Sequence, residues 1–344
     1  MPYFKEVVSD KIEQPVRLDV YIGSMAGMNR SKLKSGVQDI FLNNKKAKLS
    51  TKVKSGDVIE FFWEDNVPDD ILPENIPLKI IYEDENVTVI NKGQGMVTHP
   101  AAGNWEGTLV NALLYHWQLL PIHQIDGEGE IKNNFRRPGI VHRLDKDTSG
   151  VIITARNRDT EEFLARQFKD HNSISKIYIC ICKGHPPLKE GVIRTNLTRD
   201  SNDRKKIKVV PEGEDGKLAV TKFKCIGCWG PYSLMKVRIF TGRTHQIRVH
   251  LKFIGCPVLG DPIYSKVTKG SLFEKATLML HAYRLKINIP GKQETSVFTA
   301  PVPVRFKKAI KLLHEKYKKS FPPESPSKKI FVFSAKKGYG QWQK

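Results

Sequence analysis

The segment Gly139-Ile140-Val141-His142-Arg143-Leu144-Asp145-Lys146-Asp147-Thr148-Ser149-Gly150 is polar at its centre and runs straight into the apolar stretch Val151-Ile152-Ile153. Polar turn formers between β-branched runs read as strand, turn and strand. The arrangement lifts one carboxylate, Asp145, among basic and small polar neighbours, which suits presenting a charged group better than packing a core. On local spacing alone an ordinary solvated turn fits equally well, because His, Arg, Asp and Ser are mostly exposed residues. A kinase catalytic loop does not fit: Leu144 separates His-Arg from Asp, and no glycine-rich phosphate loop precedes it.

A second segment, Thr241-Gly242-Arg243-Thr244-His245-Gln246-Ile247-Arg248-Val249-His250-Leu251, narrows the reading. Together the two segments resemble the signature of the pseudouridine synthases that modify ribosomal RNA, most closely the D-type synthases of the large ribosomal subunit. Further matches lie in Tyr82-Glu83-Asp84-Glu85, in His99-Pro100 with Gly107-Thr108-Leu109-Val110-Asn111-Ala112-Leu113-Leu114, and in Leu259-Gly260-Asp261-Pro262-Ile263-Tyr264. The likeness spans most of residues 13 to 315. Two positions depart from it: Gly93 follows Asn91-Lys92 where proline is usual, and Ser265 follows Tyr264 where glycine is commoner. Both fall at expected turns and bear on local backbone geometry.

A chain of 344 residues, 40% of them hydrophobic, is long enough for two domains. Its 57 Lys and Arg against 36 Asp and Glu leave a formal charge of +21, which points to a polyanionic partner. Nucleic acid is the natural candidate. A membrane is not, since no apolar stretch approaches a span and the basic residues are widely spread. The opening Met1-Pro2-Tyr3-Phe4-Lys5-Glu6 lacks the apolar run of a signal peptide, so a cytoplasmic protein is expected, acting as a monomer. Of the five cysteines, Cys225 and Cys228 have the spacing of half a zinc site, but Cys180 and Cys182 alternate as in a strand. Buried, unpaired thiols are expected and no metal.

Four parts are expected along the chain. Residues 13–65 form a small basic unit, with a helix through Leu18, Val20, Tyr21 and Ile22 and a second helix capped by Ser31. This unit resembles the α-L RNA-binding module of small-subunit ribosomal proteins, which implies that Arg30 and Lys32 face RNA. Residues 66–77, with Pro68, Pro73 and Pro77 among acidic residues, suit an extended linker. Residues 78–319 carry strand alternation at Val87–Ile90, Ile177–Cys182, Leu218–Phe223, Met235–Phe240 and Leu278–Ile289. Helical patterns fall at Thr108–Trp117, Thr160–Phe168, Thr244–Ile254 and Val304–Tyr317. An α+β catalytic domain on a large, mainly antiparallel mixed sheet follows, and the resemblance implies the same core. Residues 320–344, proline-rich and then basic, read as a flexible tail, although Ile330-Phe331-Val332-Phe333 offers an apolar patch able to dock.

The resemblance implies isomerisation of uridine to pseudouridine: the C1′–N1 bond breaks, the uracil turns, and C5 takes the place of N1. The exchange is redox-neutral, and no cofactor is expected. It calls for a carboxylate near the anomeric carbon and a pocket for the detached base. Asp145 is the candidate; attack on C1′, attack on C6 and removal of the C2′ proton all remain open. A carboxylate kept charged away from water needs a cation, and the resemblance assigns Arg248. In a helix over Thr244–Ile254, Ile247, Leu251 and Ile254 form an apolar stripe with Arg248 on the adjacent one. Tyr178 matches the family's aromatic residue that stacks on the target base and assists proton removal at C5; from the strand pattern alone it would be core. Stacking is worth roughly 1–3 kcal/mol per base, comparable with the few kcal/mol that unstacking costs. His142 and Arg143 suit RNA phosphates or the gap left by a flipped base, and Arg243 lies in the second signature segment. His245 and Gln246 suit support of the site, and Thr148 with Ser149 the fixing of the Asp145 loop. The motifs leave open a transfer-RNA substrate, a non-catalytic RNA-binding or ribosome-assembly role, and a metal-dependent nuclease built on His142 and Asp145.

Overall fold

The computed structural model describes residues 3–9, 12, 14–25, 37–63, 70–101, 103–119, 122–123, 139–170, 173–203, 205–211, 214–266, 269–324 and 331–335. The chain divides into two compact units. One comprises Met1–Ile71 with Pro121–Ile131, the other Leu72–Leu120 with Lys132–Lys344.

In the first unit, a four-stranded antiparallel sheet runs in the order Tyr3–Val7, Val58–Trp63, Val37–Leu42, Lys45–Lys46. It shares a core with the expected helix, here Leu18–Met25, through Leu18, Tyr21, Ile22, Ile40, Val53, Ile59 and Phe61. Asn43 and Asn44 both take left-handed backbone (φ 50° and 62°), the conformation a two-residue hairpin turn demands. The Asn43 side chain ties that turn to its neighbours, donating to Asp57 Oδ1 (2.8 Å) and accepting from Val58 N (2.8 Å). Tyr3–Val7 belongs to this sheet, so the unit starts earlier than residue 13. The expected second helix, with Arg30 and Lys32, lies outside the described residues.

The expected linker also shortens. From Leu72 onward the chain packs within the second unit: Leu72 O accepts from Asn111 Nδ2 (2.8 Å), Glu74 N donates to Asn111 O (3.0 Å), and Glu74 Oε1 accepts from Gly107 N (2.9 Å). These proline-spaced residues are extended because they are bound to the start of the Leu109–His116 helix.

The second unit is built on a twelve-stranded mixed sheet. Its main path runs Ile207–Val210, Glu190–Arg199, Lys217–Trp229, Tyr232–Ile239, Ser175–Lys183, Leu280–Ile287, Ser149–Ala155, Val87–Lys92, Ile80–Glu83. Every pairing along this path is antiparallel except Ser149–Ala155 with Leu280–Ile287. The fold is therefore the α+β arrangement with a large, mainly antiparallel sheet. The strand Glu190–Arg199 has no clear signal in the sequence. Its buried face includes Thr195, a polar residue between Ile193 and Leu197, so the alternation is hidden. Burial is tolerated because Thr195 Oγ1 shares a hydrogen bond with His250 Nε2 (3.0 Å), while His250 Nδ1 shares another with Thr221 Oγ1 (2.8 Å). These two strand hydroxyls pin the helix Gln246–Phe253 to the sheet, and its apolar stripe Ile247, Leu251 and Ile254 is buried as expected.

Within the tail, part of the apolar patch is docked on the sheet. Val332–Phe333 adds a parallel strand to Val192–Ile193, and Phe333 packs against Phe223 and Phe331, leaving only 5% of its surface exposed. Burial of the Phe333 ring favours this docking and opposes the ordering entropy of the segment. All five cysteines are buried and free; burial pushes the Cys228 thiol up to about 12. No helix among the described residues is long and apolar enough to cross a membrane.

Candidate active site

Asp145 sits at the tip of an excursion closed at its base by Ala155 N donating to Gly139 O (2.9 Å) and by a bridge between Ile140 and Thr154. Thr148 N donates to Asp145 O (3.0 Å), forming the turn. The carbonyls on either side of Asp145 are both tied to the body. Leu144 O accepts from Thr98 Oγ1 (3.0 Å), and Lys146 O accepts from Gly95 N (2.9 Å) and Lys92 Nζ (3.2 Å). With its neighbours held inward, Asp145 projects its side chain, 23% exposed, into a cleft of about 470 Å³.

Gly150 explains how closely this loop is seated. Its φ is +118°, and a Cβ there would lie 2.1 Å from Ala282 O on the adjoining strand. Gly150→Ala is expected to destabilise the protein by about 3 kcal/mol or more, because neither backbone can yield; an unchanged urea midpoint would contradict this seating. Ala282 also pairs with Tyr178 on its other side. Tyr178 therefore stands two strand spacings, roughly 9.6 Å, from the foot of the Asp145 loop. Both side chains line the cleft.

Arg248 closes the constellation. Its Nη1 donates to Asp145 Oδ2 (3.0 Å), while Nε and Nη2 donate to Asp261 Oδ2 and Oδ1 (2.7 and 2.9 Å). Its guanidinium also lies over the Tyr264 ring at 5.2 Å. Burial works against the Arg248 charge, but the two carboxylates outweigh it and hold the guanidinium above its usual range. Burial likewise pushes the Asp261 carboxyl up; Arg248 and the N–H groups of Ile263 and Tyr264 outweigh that and hold it low. One buried cation thus serves two carboxylates, with Asp261 fixing its plane and Asp145 using the remaining edge. His245, left-handed at φ 55° at the helix start, brings Nε2 to 3.9 Å from Asp145 Oδ2 and shares a hydrogen bond with Tyr264 Oη through Nδ1 (2.9 Å).

The expected residues Asp145, Tyr178, Arg248, His142, Arg143, Thr148, Arg243, His245 and Gln246 all line this one cleft. Gln246 is saturated by protein: Oε1 accepts from Thr241 Oγ1 and Arg243 N, and Nε2 donates to Val220 O and Thr221 Oγ1. It fastens the loop before the helix and has no group to spare for RNA. His142 carries no charge for a phosphate. Burial, with Lys176 nearby, pushes it down to about 3; its Nε2 accepts from Ile153 N (3.1 Å) and its ring stacks on Phe168.

Burial similarly holds His250 at about 3 and His281 at about 4. In the unfolded chain these three take up protons near pH 6.5, whereas the folded protein does not until much lower pH. Their contribution to stability is full above about pH 6.5 and is lost as pH falls towards about 3. The urea midpoint is expected to decline between pH 6.5 and 5, ahead of carboxylate titration. A level midpoint down to pH 5 would contradict the neutral, buried state of these rings.

Sequence reasoning missed Asp261, Lys92 and Lys176. Asp261 lies in the quoted run Leu259 to Tyr264, and an aspartate between glycine and proline is a turn former that also accepts from the two following amides. Lys92, 1% exposed, donates to the carbonyls of Gly93, Met96 and Lys146, and burial pushes it down to about 8.

Residues 86–253, which contain Asp145, Tyr178 and Arg248, match the RNA pseudouridylate synthase family model. A ribosomal large subunit pseudouridine synthase D of Borreliella burgdorferi is 44% identical over 301 residues, covering 86% of this chain and 88% of the relative. The chain belongs to the RNA pseudouridylate synthase family. A ribosomal large subunit pseudouridine synthase D of Zymomonas mobilis is 38% identical over 307 residues, covering 86% of this chain and 93% of the relative. Among solved structures, human RNA pseudouridylate synthase domain containing 1 aligns with a TM-score of 0.52 at 26% identity, over 74% of this chain and 93% of that one. The protein is therefore an isomerase acting on RNA, and the cleft holding its matched signature residues is the candidate active site of this synthase.

Proposed function

We propose that this synthase converts uridines of large-subunit ribosomal RNA to pseudouridine, with Asp145 as the carboxylate that opens the glycosidic bond. The observation that carries the reading is the 3.0 Å contact from Arg248 to Asp145 inside a cleft shared with Tyr178. The substrate class rests on the names of the relatives at 38–44% identity.

In this reading the target uridine turns out of its stack and lies against Tyr178. The Asp145 carboxylate, oriented by Arg248, acts at the ribose or the base, and C1′ leaves N1 for C5. The C5 proton must then depart while N1 gains one, so atoms and charge balance without a cofactor. Burial and the Asp145 charge push the Tyr178 phenol well above its usual range, keeping it un-ionised. Tyr178 accordingly relays the C5 proton through its hydroxyl; Asp145 is the base that receives it. The first unit grips folded RNA by shape and phosphate contacts.

Mapping pseudouridines by carbodiimide labelling in cells lacking the protein tests the substrate. Specific sites in the large ribosomal RNA are expected to vanish. Loss confined to transfer RNA would refute the ribosomal assignment.

A further inference from the structure

Lys176 is a buried cation that the chemistry above does not use. It is 8% exposed, and among the described residues no carboxylate lies within ion-pairing distance of its ammonium. Its Nζ stands 5.7 Å from the centre of the Phe168 ring and 3.8 Å from the point a Cβ on Gly242 would occupy, so it faces the cleft beside Arg243. Arg243, held by Nε donating to Leu218 O (3.1 Å), lines the same opening. Burying a cation without an anion is costly; Lys92 offsets that cost with three carbonyls, whereas among the described residues the Lys176 ammonium has no hydrogen-bond acceptor and stands open to an anion entering the cleft. Burial and the neighbouring Arg243 push Lys176 down to about 8, the direction expected of a cation awaiting its partner.

Register suggests which anion. Lys176 and Tyr178 alternate on one strand and share its buried face. They are separated by roughly 6.6 Å along the strand, so a nucleotide whose base lies against Tyr178 brings its own sugar-phosphate into the neighbourhood of Lys176. We propose that Lys176, with Arg243, forms a phosphodiester site for the backbone of the nucleotide whose base enters the cleft. This inference rests on the RNA isomerase reading and deepens it: the enzyme engages a uridine only as part of a chain, because the flipped residue's phosphate completes an otherwise unpaired cation.

The test uses the full-length protein, its Lys176→Gln and Lys176→Arg variants, and a large-subunit ribosomal RNA transcript carrying tritium at uridine C5. Filter binding across a potassium chloride series should show the slope of log affinity against log salt falling by about 0.7 for Lys176→Gln, one phosphate contact on single-stranded RNA. Lys176→Arg should keep the wild-type slope. Tritium release should show KM raised about tenfold in Lys176→Gln, with kcat changed less than threefold. Thermal melts establish that each variant is folded; should Lys176→Gln not fold, Arg243→Gln is read for the same loss of slope. An unchanged salt slope in a folded variant, or a loss confined to kcat, overturns the proposal. No tritium release from the wild-type protein would count against the substrate reading instead, and the salt slope of binding would still decide the phosphate site.

Discussion

Asp145→Asn is expected to abolish pseudouridine formation, with a loss on the order of 10⁴-fold or more, while the Kd for RNA moves less than about threefold. The amide keeps the volume of the carboxylate, and its oxygen can still accept from Arg248, so the loop stays where Lys92, Gly95 and Thr98 anchor it. What disappears is the charged oxygen pair able to attack carbon or accept a proton. Arg248 is not left stranded, because Asp261 holds it by two hydrogen bonds. The cleft should therefore remain formed and continue to bind RNA. Tritium release and filter binding on the same preparation separate the two effects. Activity within tenfold of wild type would remove Asp145 from the chemistry; a parallel collapse of binding would show it to be structural.

The parts of this molecule that were legible in the sequence are those where one residue type signals one job. The strands at Ile177–Cys182 and Met235–Phe240 alternate plainly, and the helix over Gln246–Phe253 shows its apolar stripe directly. Asp145 and Arg248 stand 103 positions apart, and no periodicity links them; only the resemblance paired them, and the 3.0 Å contact gives that pairing its geometry. Where burial is polar, the reading failed. Thr195 hides a strand because its hydroxyl is answered by His250, a partner 55 positions away. His142 looks like a phosphate-facing group by composition, yet its Nε2 is taken by the amide of Ile153, which comes close only in the folded chain. Asp261 went unassigned for the same reason: its turn is local, but its importance lies in a guanidinium that the turn itself does not reveal.

Arg248→Ala should remove activity and stability together. Its two roles can be separated. Truncation leaves Asp261, whose side chain is fully buried, without its cation, and breaking such a pair costs about 3–5 kcal/mol. It also takes from Asp145 the donor that fixes its orientation, a loss of about 10²–10³-fold in rate by analogy with other preorganised donors. A second change isolates the terms. In Arg248→Met with Asp261→Asn, no charge is buried, the methionine fills the space of the aliphatic stem, and the asparagine oxygen can still accept from Ile263 N and Tyr264 N. Most of the lost stability should return, because replacing a buried ion pair with neutral groups of similar volume is often close to neutral. Activity should stay low, since nothing then donates to Asp145 from this side of the cleft. Urea unfolding and tritium release on the single and double variants read the two quantities independently. Recovery of both in the double variant would mean that Arg248 serves the fold alone, and that Asp145 works without the guanidinium it touches.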